Sequence, residues 1–97
     1  MSFESHALAV NIEHDLRKVL NCDRSEFGGY VDADVIESNL VQAYSIGLAI
    51  SYANSNQIKR KKIDDFLEKV TQYQDKSIEE IGISVAEQLT DEFEALL

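Results

Sequence analysis

The chain has 97 residues, 44% of them hydrophobic and 28% charged, which describes one globular domain rather than a disordered segment. A core of that size leaves little room for an enclosed active site. The formal charge of -9 at pH 7 argues against direct nucleic-acid binding, because the net field repels a polyanion.

The charge is segregated along the chain. Residues 1–58 carry a net -5, residues 59–74 a net +2 and residues 75–97 a net -6. Cys22 stands alone, so no internal disulfide forms, which fits a reducing cytoplasm. The start Met1-Ser2-Phe3-Glu4 lacks the basic-then-apolar pattern of a signal peptide. The most apolar stretch, residues 40–53, is too short to span a bilayer.

Apolar residues at Leu8, Ile12, Leu16, Val19 and Leu20 recur at spacings of three and four, predicting a first helix over about 5–20. Arg17 and Lys18 suit its negative C-terminal end. Residues 22–31 break the pattern, with Gly28-Gly29 marking a loop. Asp32 is a good N-cap, and a second helix is expected over 32–54. Val35, Ile36, Leu40, Val41, Tyr44, Leu48 and their neighbours cover most of its circumference, which predicts a central, mostly buried helix. Ala43, Gly47 and Ser51 form a small-residue ridge on it, read as a seat for another helix.

Asn54-Ser55-Asn56 signals a turn. A third helix is expected over 58–74, with the stripe Ile63, Phe66, Leu67, Val70 and Tyr73. Ser77 with Glu80 three positions on predicts a capping box, opening a fourth helix over 77–96. Its stripe is Ile78, Ile81, Val85, Leu89, Phe93 and Leu96. The fold class is therefore all-α: a single four-helix bundle-like domain spanning 1–97, with the second helix at its centre.

Catalytic signals are absent. His6 and His14 lie eight positions apart, too far for the four-residue spacing that seats two ligands on one metal, and Cys22 reads as a small apolar residue near a helix end. The adjacent carboxylates Asp64-Asp65, Glu79-Glu80 and Asp91-Glu92 read as solvated helix surface rather than acid–base pairs. No enzyme activity, metal or cofactor is predicted. The basic run Lys59-Arg60-Lys61-Lys62 reads as a solvated helix start, salt-bridged to the acidic last helix.

Two acidic surfaces are candidates for a partner. The first is the loop residues Glu26, Phe27 and Tyr30 running into Asp32, Asp34 and Glu37, where aromatic anchors combine with carboxylates. The second is Glu80, Glu87, Asp91 and Glu94, aligned along the last helix. The first is the preferred surface, because the last helix is expected to spend charge on the basic tetrad.

In size, charge, helicity and its aromatic-plus-acid loop, the chain is similar to the small acidic helical immunity proteins of nuclease bacteriocins and contact-dependent toxins. That resemblance implies a cytoplasmic bacterial protein that occludes a basic toxin; it carries no residue across. Two other classes fit the composition. One is a nucleic-acid mimic, or regulatory adaptor, that occupies a DNA-binding protein. The other is a helical homo-oligomer, in which a homodimer buries what the other helices leave of the second. None of these involves a membrane or bound nucleic acid.

Overall fold

A computed structural model describes residues 3–19 and 31–97. Four long helices make the frame: α1 (Phe3–Val19), α3 (Leu40–Ala53), α4 (Gln57–Val70) and α6 (Ile83–Leu96). Two short ones, α2 (Ala33–Ser38) and α5 (Ile78–Ile81), precede α3 and α6, and a 3₁₀ turn at Thr71–Tyr73 follows α4. No strand occurs among the described residues. The fold is all-α and bundle-like, as the periodicities predict, and at 19 Å its shortest extent equals about two helix diameters.

The second and fourth expected helices are each divided in two. Asn39 interrupts the second with a non-helical φ of -149° and ψ of 80°. Its amide closes α2 on the Val35 carbonyl (2.9 Å), while its side chain accepts from the Gln42 amide at the start of α3 (3.4 Å). Ser38 Oγ donates to the Val35 carbonyl at 3.0 Å, taking up another helix-end acceptor. Ser and Asn compete with helical bonding in this way, so the pair stops one helix and starts the next. Asp32 occupies the N-cap position of α2 without capping it; its carboxylate meets Arg17 Nη2 at 3.2 Å instead.

Gly82 divides the fourth helix. Its φ of +100° is a conformation that a side chain resists, and its amide closes α5 on the Ile78 carbonyl at 2.9 Å. The capping box at its start is present. The Glu80 amide donates to Ser77 Oγ (3.1 Å) and the Ser77 amide donates to Glu80 Oε1 (2.9 Å). Beyond Gly82 the buried residues are Ala86, Leu89, Thr90 and Phe93, so Leu89 and Phe93 of the expected stripe are buried, while its Val85 and Leu96 are half-buried against the core. The third expected helix ends as α4 at Val70, with Ile63, Phe66 and Val70 buried.

The centre of the fold is α3, which touches α1, α2, α4 and α6. Leu40, Ala43, Tyr44 and Leu48 are fully buried on it. The small-residue ridge seats two helices at once. A Cβ placed on Gly47 would lie 2.6 Å from Leu16 Cδ2 of α1 and 2.9 Å from Phe93 Cζ of α6. Next along the ridge, Ser51 Oγ donates to the Leu96 carbonyl at 2.8 Å and ties down the end of α6. Tyr44 packs against Phe93 with centroids 4.6 Å apart and the rings tilted by 37°, and meets Phe66 edge-on at 5.5 Å. Its hydroxyl reaches Thr90 Oγ1 at 2.7 Å, which satisfies both groups where water is excluded, and burial pushes the phenol pKa well above its ordinary value.

Candidate functional site

The charge pattern reads differently once the helices pack. Of the loop surface, Glu26, Phe27 and Tyr30 lie outside the described residues. Asp32 is exposed but engaged by Arg17, which also bonds Glu13 at 3.3 Å one turn earlier. Asp34 is exposed near the start of α2. Glu37 is not a surface residue: it is 3% exposed, and α2 turns it inward against α1, where its Oε1 lies 3.4 Å from His6 Nδ1. The expected free charge of this surface is thus reduced by one ion pair and one burial.

The last helix changes in the opposite sense. Glu80 leaves the row, since Gly82 separates α5 from α6 and the Glu80 carboxylate folds back on Ser77. The backbone and side-chain bonds to Ser77 hold its pKa below the usual value. Glu87, Asp91 and Glu94 remain, spaced four and three apart and exposed on one side of α6. Among the described residues no Lys or Arg forms an ion pair with any of the three. The basic tetrad does not neutralise them. Arg60 bonds the Tyr52 carbonyl at 3.0 Å with its guanidinium over the Tyr52 ring, and Lys61 pairs with Asp65 within α4 at 3.6 Å. The link from α4 to α6 comes from Lys69, outside the tetrad, which grips Glu92 at 2.8 Å. Four positions separate Lys69 from Asp65 and seven from Lys62, so this face of α4 lies along the α6 edge that carries Glu92, away from Glu94.

A fourth carboxylate joins the row from α1. Asp15 shares a hydrogen bond with Glu94, and that bond is the main reason the Glu94 pKa rises from 4.5 to about 7. Partial loss of hydration and the negative charges of Asp15 and Asp91 push the same way. The α1–α6 seam therefore holds one carboxyl, that of Glu94, that keeps its proton to near neutral pH. Asp15 is invisible as a site residue in the sequence, where it is one of several charges on the polar face of the first helix. Only the packing of α1 on α6 brings it to Glu94.

This pair makes stability fall with rising pH. Below pH 4.5, the ordinary Glu value, Glu94 is protonated in both folded and unfolded chains and the stabilisation from its bond to Asp15 is fully present. Between there and about pH 7 the folded chain holds a proton that the unfolded chain has released, so stability drops, and above that the bond is lost. Glu94 is solvent-exposed, so screening limits the effect to about 1 kcal/mol. Urea midpoints taken from pH 5 to 8 should decline more in the native chain than in Glu94→Gln, whose neutral amide keeps a donor toward Asp15. Parallel profiles would show that Glu94 does not hold a proton through its contact with Asp15.

Elsewhere, α4 and α6 flank a groove of about 710 Å³ lined by Ile58, Lys59, Lys62, Phe66, Glu92 and Leu96 among others. Ile58 is 73% exposed at its mouth. No helix among the described residues is long and apolar enough to cross a membrane. No protein-family model, curated protein or solved structure matches the chain.

Proposed function

We propose that this chain is an acidic binding protein that neutralises a basic protein partner by occlusion, of the kind an immunity protein or antitoxin presents to a bacterial toxin, nuclease toxins included. The supporting observation is the carboxylate row Asp15, Glu87, Asp91 and Glu94 on the α1–α6 seam. It has no cation against it among the described residues, and Glu94 is crowded enough to titrate near pH 7. Like charges at these spacings weaken a helix. An incoming guanidinium or ammonium would relieve that repulsion and be gripped by several acceptors at once. Nuclease toxins carry cationic surfaces that hold phosphate, and a row of carboxylates complements the same surface. The net charge of -9 adds long-range steering, with association rates up to about 10⁸–10⁹ M⁻¹s⁻¹ at low salt. The α6 row takes precedence over the loop surface because Asp32 is paired and Glu37 buried.

The experiment is to measure binding to the product of the neighbouring gene across a salt series. The association rate should fall steeply with ionic strength. Asp91→Asn and Glu94→Gln should each weaken the complex by about 1.5 kcal/mol or more, roughly tenfold, while leaving the fold intact. Binding that is indifferent to salt and to both substitutions would remove the basis for this reading.

A further inference from the structure

We propose that His6, Asp34 and Glu37 form a binding site for a divalent transition-metal ion of the zinc class, joining α1 to α2. One ligand atom from each residue lies within 4.8 Å of the other two. Asp34 and Glu37 are three apart on α2 and so face the same way, and α1 lays His6 across them from 31 positions away in the chain. Among the described residues the packing of α1 on α2 is the broadest helix contact, so the cluster sits on a well-supported frame.

The observation that points to a ligand is Glu37 itself. Its side chain is 4% exposed, its Oε1 has only the long contact of 3.4 Å to His6 Nδ1, and its Oε2 is buried with no hydrogen-bond partner among the described residues. A buried carboxylate is expected to be fully bonded, paired or coordinated to a metal. A protonated His6 would balance the charge of Glu37, but through Oε1, and would leave Oε2 as it stands. A cation seated between the three residues takes both carboxylates and the imidazole together.

The donor set selects the ion. One imidazole nitrogen with two carboxylates suits zinc, whereas calcium asks for six to eight oxygens and magnesium keeps most of its waters. Metal–ligand bonds of about 2.0–2.2 Å put the ligand atoms ~3–4 Å apart. The cluster must therefore tighten modestly around the ion. His6 and Asp34 are exposed and free to adjust by rotamer change, while Glu37 stays fixed. Three protein ligands leave a further position for water. A cleft of about 310 Å³ borders Asp34 and Glu37 and is also lined by Ser38, Ser77 and Glu79. His14 lies on α1 two turns from His6 and takes no part, so spacing within the sequence gives no sign of the site.

The test uses the full chain carrying Cys22→Ser, which removes the lone thiol as a competing ligand, and zinc chloride in a non-chelating buffer at pH 7. Calorimetric titration should show saturable binding of one equivalent, and zinc should raise the melting temperature, because an ion held only by the folded chain stabilises it. His6→Ala, Asp34→Asn and Glu37→Gln should each weaken binding at least about tenfold, and His14→Ala should leave it unchanged. Magnesium and calcium should produce no thermal shift. His6 and Asp34 are exposed, so their variants test the site even if Glu37→Gln folds poorly. No saturable zinc binding, or binding that survives His6→Ala and Asp34→Asn, overturns the proposal. The measurement needs no protein partner, so it stands apart from the outcome for the carboxylate row.

Discussion

Phe93→Ala is expected to lower the unfolding free energy by about 3–5 kcal/mol, at the upper end for a core truncation. Phe93 is fully buried and stands where α6 crosses α3. Its ring packs against Tyr44 at 4.6 Å and fills the space over Gly47, where a Cβ would lie 2.9 Å from Cζ. Truncation removes one side of the aromatic cluster and leaves a void whose floor is a glycine. Nothing on that floor can swing in to fill it, so the site relaxes poorly, and poor relaxation is what raises the cost of a cavity. A domain of this size has about 5–10 kcal/mol in total, so the variant should be partly unfolded at moderate urea. The measurement is the urea midpoint followed by far-UV circular dichroism. A loss below about 1 kcal/mol would mean that the ring is not packed as described.

The sequence made the helices legible because their apolar residues keep helical spacing, and it made the centre of the fold legible because the second helix has no polar side wide enough to face solvent. Ala43, Gly47 and Ser51 marked the close approach correctly, since only small residues at spacing four leave such a ridge. The two breaks were harder to see. Asn39 and Gly82 each sit inside a stripe that remains apolar on both sides, and a periodicity count passes through a single-residue interruption without registering it. Thr90 was missed for a different reason. It is a polar residue on the buried face, and its place there depends on Tyr44, 46 positions away, which accepts or donates the matching bond at 2.7 Å.

The functional residues follow the same division. Glu87, Asp91 and Glu94 could be aligned from spacing alone because they share one helix. Asp15, His6 and Glu37 acquire meaning only through contacts between helices. Glu37 is the clearest case: a glutamate near a helix start reads as solvated charge, because burying one without a full set of partners is costly. Similarly, opposite charge alone matches the basic tetrad to the last helix, whereas the side chain that reaches α6 is Lys69, placed on the facing side of α4 by its position in the helical turn.

Gly47→Leu should destabilise the fold by about 3 kcal/mol, at the top of the usual range for overpacking. Two opposed effects decide the value. Leucine is the better helix former by somewhat under ~1 kcal/mol, which favours the variant. Against that, even the first added carbon would sit 2.6 Å from Leu16 Cδ2 and 2.9 Å from Phe93 Cζ, and three further carbons must follow it. Leu16 and Phe93 are both fully buried, on different helices, so relief requires α1 or α6 to move off α3. The steric cost therefore wins. The decisive comparison is the double variant with Phe93→Ala. Removing the ring opens the space that the new leucine needs, and the leucine fills the void that the truncation leaves. The combined loss should then fall short of the sum of the single losses by ~0.5–3 kcal/mol, the range seen for residues in contact. Strict additivity in the urea midpoints would place Gly47 and Phe93 apart and undo the packing of α6 on the centre of the fold.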